Sequence, residues 1–160
     1  YNIRIHNKHK IDILETLIES VDVIPNSIVI AQAANESGWG TSRFAKDFNA
    51  LFGEYTFDIN NGVEPIYRNN GEKYLIKFFA TVNDSVRSYF KNLNTHPAYK
   101  DLREKRKQLR KNNLELDPII LVQHLKYYAK DKNYVKTIES IIRVNKLTQF
   151  DRIITVTTKS

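Results

Sequence analysis

All five glycines of this 160-residue chain fall between Gly38 and Gly71. Glycine is the residue that sharp turns and close backbone approaches require, so irregular backbone is concentrated in this one stretch. Helical periodicity dominates on both sides of it, whereas aromatic and β-branched residues are enriched within it. The sequence therefore predicts a mainly α (α+β) fold, in which a helical domain carries a small antiparallel β-sheet lobe near residues 54–79.

The individual elements follow from local signals. Helices are predicted over residues 8–21, 27–36, 42–46, 83–93, 100–111, 118–129 and 134–147, and strands over 55–59, 63–68 and 73–79. Asn83 and Asp117 are predicted helix N-caps, Pro97 and Pro118 suit first turns, and Asn61-Gly62 and Asn70-Gly71 are predicted turns. The first helix has an apolar face formed by Ile11, Leu14, Leu17, Ile18 and Val21. Residues 148–160 are interpreted as a tail with some strand character.

Glu36 lies where the second helix ends. Val29 and Ala33 share its helical face, and Gly38 just beyond it is a natural C-terminal cap. An apolar surrounding and the negative end of the helix dipole both raise the pKa of a carboxyl group. The pattern therefore indicates a general acid, although a solvated glutamate at a helix end is the ordinary alternative.

The charge balance allows two classes of anionic partner. The formal net charge is +7 and the isoelectric point is near 9.5, which suits either nucleic acid or the anionic cell envelope. The densest basic run, Lys100–Lys111, is predicted to be one amphipathic helix. Its charges are expected to form a solvated face with internal ion pairs such as Asp101 with Lys105. We expect no nucleic-acid partner, because no nucleic-acid motif accompanies the charge.

Several chemistries lack their signatures in this sequence. Cysteine is absent, and no apolar run is long enough to cross a bilayer. The four histidines, His6, His9, His96 and His124, are scattered, and neither a phosphate-binding glycine loop nor an esterase elbow occurs. We therefore expect no metal and no cofactor. The chain starts at Tyr1 with no leader, which fits a processed exported protein or a trimmed one.

Four blocks of sequence carry a family resemblance. They are Glu36-Ser37-Gly38-Trp39-Gly40 followed by Asn49-Ala50-Leu51-Phe52-Gly53, then residues 82–89, residues 94–99 and residues 128–134. Together they resemble the glucosaminidase-type peptidoglycan hydrolases, glycoside hydrolase family seventy-three, and within it the Bax-like group. The resemblance runs through most of residues 25–145.

The resemblance implies a lysozyme-like helical domain that cleaves bacterial cell-wall glycan after N-acetylglucosamine. Chain length agrees with one catalytic domain over residues 1–160, with 148–160 as an extended tail. The implied partner is peptidoglycan, and the implied place is extracytoplasmic, peripheral to the envelope rather than transmembrane. We expect a monomer. The alternative is a catalytically silent module that binds peptidoglycan or another anionic polymer.

Glycoside hydrolysis commonly needs a second carboxylate, and the resemblance implies that the small sheet supplies it. The candidates are Glu54, Asp58, Glu64 and Glu72. We favour Glu64, which precedes Pro65 on the predicted middle strand, although a one-residue register slip would turn it away. If no carboxylate faces Glu36, the 2-acetamido group of the substrate is the alternative nucleophile.

Other residues of the matched blocks are candidates for the site. Tyr128 matches a family tyrosine implied to be catalytic, with a hydroxyl that would bond the acetamido group or the attacking water. Ser37, Trp39, Asn49, Phe52 and Tyr134 are the candidates for substrate binding. For the tyrosines the ordinary alternative is a half-buried ring with a wet hydroxyl, and for Trp39 we favour a core anchor over a sugar-stacking platform.

Overall fold

The computed structural model of the protein describes residues 10–65, 71 and 73–152. Helices dominate these ranges, and three short strands lie within residues 55–77, so the mainly α fold with a small sheet is confirmed. In chain order the elements are α1 (Lys10–Val21), α2 (Asn26–Ser37), α3 (Arg43–Phe48), β1 (Tyr55–Thr56), β2 (Gly62–Val63), β3 (Leu75–Lys77), α4 (Val82–Thr95), α5 (Lys100–Lys111), α6 (Pro118–Val122) and α7 (Tyr134–Val144), with 3-10 helices at Ile59–Asn61, Pro97–Tyr99 and Leu147–Phe150.

The strands form an antiparallel sheet in the order β1-β3-β2. Ile76 of β3 pairs with Tyr55 on one side and with Val63 on the other. The middle strand is therefore β3, and the prediction that Glu64 lies on the middle strand is wrong, because Glu64 follows the edge strand β2. Part of the predicted 63–68 strand and Asn70 lie outside the described residues.

The strands are shorter than predicted, and Gly62 explains part of the difference. Asp58 caps a 3-10 turn at Ile59–Asn61, so Gly62 does not form a hairpin turn with Asn61 but enters β2. A Cβ at Gly62 would lie 2.6 Å from Leu75 Cβ and 2.7 Å from Thr56 Cγ2. Glycine is needed here for close packing of the strands rather than for a turn.

Two helix boundaries also differ from prediction. Thr81, not Asn83, is the N-cap of α4, since its hydroxyl accepts a hydrogen bond from the Asp84 N–H at 3.1 Å. The helix that starts after Asp117 ends at Val122 instead of continuing to Ala129. Successive tight turns then carry the chain onward, with the Tyr128 N–H bonded to the Leu125 carbonyl at 2.9 Å.

The C-terminal part ends in irregular structure. The last α-helix stops at Val144, and Lys146 adopts a φ of +52°. A 3-10 helix then spans Leu147–Phe150 and packs on α2. Residues 153–160, and with them most of the predicted tail, lie outside the described residues.

The core surrounds α2 and α7. Its fully buried members include Ile28 and Ala31 of α2, Tyr89 and Leu93 of α4, and Ile138 and Ile142 of α7. Burying this apolar surface is the main stabilising term of the fold. By contrast, the apolar face of α1 is exposed, with Ile11 at 70% and Ile18 at 53%.

The basic run forms α5, as predicted, and Leu102 and Leu109 are buried. The predicted solvated charged face is only partly correct, however, because Arg103 and Arg106 are buried. Both guanidinium groups bond to backbone carbonyls at the ends of neighbouring helices. The helix shows an i,i+4 ion pair between Lys100 and Glu104 at 3.3 Å.

Candidate active site

Glu36 occupies the last turn of α2, as predicted. Gly38 caps the helix in the left-handed conformation, with its N–H bonded to the Ala34 carbonyl. The Glu36 side chain is half-buried, and its Oε1 accepts a hydrogen bond from Asn35 Nδ2 at 3.1 Å. Burial raises the pKa of the Glu36 carboxyl, and the hydrogen bonds from Asn35 and Tyr134 oppose that rise without cancelling it.

The backbone of a second segment lies against the same carboxylate. A Cβ added to Gly53 would lie 3.5 Å from Glu36 Oε2, and Gly53 has a φ of +60°. The loop after α3 therefore reaches the acid with bare backbone. A side chain here would strain the backbone, because of the positive φ, and its Cβ would be in van der Waals contact with the carboxylate.

The turn after Glu36 has unusual backbone. Gly38, Trp39 and Gly40 all have positive φ, at 56°, 58° and 74°. Ser37 is buried and stabilises this turn, because its Oγ donates to the Ala33 carbonyl at 2.6 Å and accepts from the Gly40 N–H at 2.7 Å. The Ser37 hydroxyl is thus engaged inside the protein.

Trp39 is exposed to 60% on this turn, so the core interpretation is wrong. A non-glycine residue in the left-handed region carries backbone strain, which persists only where the surrounding structure enforces it. Here Ser37 and the two flanking glycines enforce it. The result is a large aromatic side chain held in solvent within three residues of Glu36, as a sugar-stacking platform requires.

Four tyrosines surround the carboxylate from the other side. The Tyr134 hydroxyl lies close enough to Glu36 to affect its pKa, and it accepts a hydrogen bond from Gln32 Nε2 at 2.6 Å. Tyr89 donates to Gln32 Oε1 at 2.5 Å. Burial, and to a smaller extent the negative charge of Glu36, raise the pKa values of Tyr89, Tyr99, Tyr128 and Tyr134.

Tyr128 stacks on Tyr134, with ring centroids 5.5 Å apart and an interplanar angle of 8°. Its hydroxyl donates to the Phe52 carbonyl at 3.0 Å. This bond ties the loop after α6 to the segment that ends in Gly53. The tyrosine that contacts Glu36 is therefore Tyr134, while Tyr128 holds the neighbouring backbone.

Asn49 and Phe52 belong to the same supporting layer. Asn49 adopts a φ of +52° at the end of α3, and its Nδ2 donates to the carbonyls of Phe79 and Ala80 at 3.0 and 3.2 Å. The Phe52 ring is buried and stacks on Tyr89 at 4.1 Å between centroids. Both residues fix the loop that lies against Glu36.

The four candidates for the second carboxylate differ in their surroundings. Glu54 is half-buried, and its Oε2 accepts from Ser88 Oγ at 2.9 Å. Lys77 Nζ in turn donates to Ser88 Oγ at 2.7 Å. Burial raises the pKa of Glu54, and its Oε1 is buried with no hydrogen-bond partner among the described residues.

Two of the other three candidates are exposed, and the third is not described. Glu64 is exposed just after β2, and Asp58 is exposed and accepts from the Asn60 N–H at 2.9 Å. Glu72 lies outside the described residues. Of the candidates, Glu54 follows directly on Gly53, where an added Cβ would lie 3.5 Å from Glu36 Oε2.

Comparison with known proteins identifies the family. The family model described as mannosyl-glycoprotein endo-beta-N-acetylglucosaminidase, Glucosaminidase, matches residues 12–147. The chain belongs to the glucosaminidase family. The match covers α2, the small sheet and α7, and hence every described element that contributes to the Glu36 site.

Two individual proteins are similar to this glucosaminidase chain. Protein bax of Escherichia coli (strain K12) is 42% identical over 120 residues, which is 74% of this chain and 42% of that protein. A crystal structure of N-acetylmuramoyl-L-alanine amidase from Staphylococcus aureus superposes with a TM-score of 0.61 at 25% identity, covering 90% of this chain and 42% of the other. The chain thus spans less than half of the relatives it matches, and its fold is lysozyme-like.

A metal site and a membrane-spanning helix have structural requirements that the described residues do not meet. Within residues 10–65, 71 and 73–152, no group of three or more His, Asp or Glu side chains is placed to hold a metal ion. Among the helices of the same ranges, none is both long and apolar enough to cross a bilayer.

Sequence reasoning missed Gln32, Tyr89, Ser88 and Lys77, which lie around Glu36 and Glu54. Gln32 has a local signal, because it is a polar residue one helical turn before Glu36 in an otherwise small and apolar run. Such a residue on a buried helix face has to find hydrogen-bond partners inside the protein. Ser88 and Tyr89 lie in the matched block 82–89, but no local pattern gives their partners, and Lys77 has no signal in the sequence, since the partners of all three come from distant segments.

Proposed function

We propose that this chain is an endo-acting β-N-acetylglucosaminidase that cleaves the glycan strands of bacterial peptidoglycan, with Glu36 as the general acid. The observation that carries the proposal is the state of the Glu36 carboxyl. It is half-buried, burial raises its pKa, and its neighbour Gly53 has no side chain. An acid for glycoside hydrolysis must hold its proton until the leaving oxygen needs it. Family membership supports the reaction class.

The surroundings of Glu36 suit an aminosugar polymer. Exposed Trp39 offers a ring face on which a sugar can stack. Tyr134 supplies a hydroxyl at the acid, and Ser37, Asn49 and Phe52 hold the two backbone segments that border it. These residues require no cofactor for hydrolysis. The same proposal includes three further statements. The partner is peptidoglycan, the protein acts outside the cytoplasm at the periphery of the envelope, and it is a monomer.

The role of Glu36 is tested by Glu36→Gln. The amide keeps the shape of the side chain but cannot act as the acid, so we expect release of new reducing ends from purified peptidoglycan to fall by about 10²–10⁴-fold. Binding to insoluble peptidoglycan should change little. The matched control is Glu115→Gln, which changes the net charge equally at an exposed position.

The outcomes separate the hydrolase from the silent binding module. Wild-type turnover in Glu36→Gln would contradict the assignment of the acid. A wild-type protein that binds peptidoglycan but releases no reducing ends would instead support the binding module.

Two residues are our candidates for the second carboxylate. Glu64 is the candidate from the sequence, and Glu54 is the candidate from its position next to Gly53 and its raised pKa. A second carboxylate stabilises the cationic sugar or directs the attacking water, so its amide variant should lose most turnover. Comparing Glu54→Gln with Glu64→Gln decides between them, and retained turnover in both would favour the acetamido group as the nucleophile.

A further inference from the structure

A chain of buried polar side chains lies behind Glu36. Gln32 and Tyr89 are fully buried, and Tyr134 is 3% exposed. The hydrogen-bonded chain runs from Tyr89 through Gln32 to Tyr134, whose hydroxyl lies beside the Glu36 carboxyl. Buried polar groups of this kind are costly unless each one is satisfied.

The chain has a direction that its chemistry imposes. An amide has an acceptor end and a donor end, whereas a phenol has one hydrogen to donate. Because Tyr89 donates to Gln32 Oε1, the amino end of Gln32 faces Tyr134 and donates to Tyr134 Oη. The hydroxyl hydrogen of Tyr134 is then left for Glu36. If the amide turned over, Gln32 Oε1 would face Tyr134 and take that hydrogen away from Glu36.

We propose that Gln32 is a positioning residue for the general acid: held in one orientation by Tyr89, it directs the hydroxyl hydrogen of Tyr134 at the Glu36 carboxylate. This inference rests on the proposed function of Glu36. A hydrogen bond from Tyr134 favours the ionised carboxylate, which is the form that exists after Glu36 has passed its proton to the leaving oxygen. The Tyr89–Gln32–Tyr134 chain thus stabilises the charge that develops on Glu36 during bond cleavage.

The other titratable groups around Glu36 come from several elements. Tyr89 lies on α4, Tyr99 on the 3-10 helix after it, Tyr128 on the loop after α6 and Tyr134 on α7. Burial raises the pKa of all four hydroxyls, so they stay neutral over the working range. Glu54 is the other acid whose charge acts on Tyr99. A titration of Glu36 therefore has to be assigned separately from that of Glu54.

The sharpest test is Tyr89→Phe, which removes one hydroxyl that bonds to Gln32. We expect the Gln32 amide to turn over and the Glu36 carboxylate to lose its bond from Tyr134. Its pKa, followed by NMR of assigned side-chain carboxyl carbons in the full chain, should rise by roughly one pH unit. The alkaline limb of the kcat profile on peptidoglycan should move upward with it, kcat at the optimum should fall severalfold and KM should stay nearly constant.

A second variant and a control complete the experiment. Gln32→Met keeps roughly the same volume but no longer donates to Tyr134 Oη. That oxygen is then free to accept a hydrogen from protonated Glu36, so the protonated form is favoured and the Glu36 pKa should also rise. Ser27→Ala is the control, because Ser27 is buried on the same helix but bonds to Asp151. It should lower stability without moving the Glu36 pKa.

The inference is overturned if Tyr89→Phe and Gln32→Met both keep the wild-type Glu36 pKa. It is also overturned if Ser27→Ala shifts that pKa as much as they do, because the effect would then reflect general loosening of α2. Failure of the proposed function has a different signature. Glu36→Gln would retain turnover, whatever the NMR titration shows for the Tyr89–Gln32–Tyr134 chain.

Discussion

The protein buries two polar clusters that are satisfied in different ways. On α5, Arg106 is 1% exposed and bonds to the carbonyls of Glu19, Asp22 and Val23. Arg103 likewise bonds to the carbonyls of Leu93 and His96. These charges cap the ends of α1 and α4, and all of their named partners are backbone atoms or the side chain of Asp22.

Neutral groups build the second cluster, and it ends differently. Gln32, Tyr89 and Tyr134 carry no charge, and the chain they form finishes at a half-exposed carboxyl. A charge enclosed by fixed backbone carbonyls is suited to locking helices together. A neutral chain that leads to an acid at the surface is suited to supporting a proton transfer. In this protein, a buried polar network lies beside a candidate catalytic group only where the network reaches a side chain that is exposed to solvent.

The largest expected effect on stability separates the two clusters. Arg106→Met removes the guanidinium and leaves Asp22 and three helix-end carbonyls without it, so we expect the free energy of unfolding to fall by about 3–5 kcal/mol. Turnover per folded molecule should not change. Urea unfolding gives the first quantity, and activity scaled by the folded fraction gives the second. If turnover fell by more than the unfolded fraction explains, Arg106 would also contribute to activity, and the two clusters would not differ in role.

The next effect is on activity. Tyr134→Phe removes the hydrogen bond to Glu36 but keeps the ring, so we expect kcat to fall by about tenfold, since a hydrogen bond to a charged group contributes about 1.5–3 kcal/mol and only part of that charge has formed in the transition state. The alkaline limb of the pH profile should move upward because the Glu36 carboxylate loses a donor. Stability should fall much less than in Arg106→Met. An unchanged pH profile would show that Tyr134 serves only packing.

Local signals explain what the sequence could predict. Gly38 identified the end of α2 and so the position of Glu36, and Pro97, Asp117 and Pro118 identified helix starts, because caps and turns depend on a few neighbouring residues. The family motif added the reaction class.

Long-range contacts explain what it could not predict. Tyr89 and Tyr134 meet Gln32 across 57 and 102 residues of chain, and Arg106 meets Asp22 across 84. No local pattern encodes those distances. The exposure of Trp39 was missed for another reason. Trp39 lies in a turn where three successive residues, Gly38, Trp39 and Gly40, have positive φ, and that backbone conformation was not predicted from the sequence.

The uncharged N-cap of α4, Thr81, gives a reference value for the change in the free energy of unfolding. Thr81→Ala removes the side-chain cap of α4, and we expect a loss of about 1 kcal/mol in the free energy of unfolding. Asn83→Ala should change stability much less, because Asn83 follows the cap within the helix. Thermal unfolding of the two variants checks the assignment. Equal losses of stability in the two variants would mean that Thr81 and Asn83 both cap the helix. Thr81→Ala could then no longer serve as the reference for the larger loss expected in Arg106→Met.

The smallest expected effect concerns the pH dependence of stability. Burial raises the folded-state pKa of Glu36 above its ordinary value of 4.5, so the native state binds its proton more tightly than the unfolded chain does. Stability is therefore full below that value and falls as pH rises through the raised pKa. Glu36→Gln removes this penalty, and we expect it to match the wild type in acid and to exceed it in thermal stability near neutral pH. The gap should be small, since solvent screens a half-exposed group. If the wild type instead became more stable than Glu36→Gln as pH rises, the ionised Glu36 carboxylate would stabilise the fold, and Glu36 would have a structural role as Arg106 does.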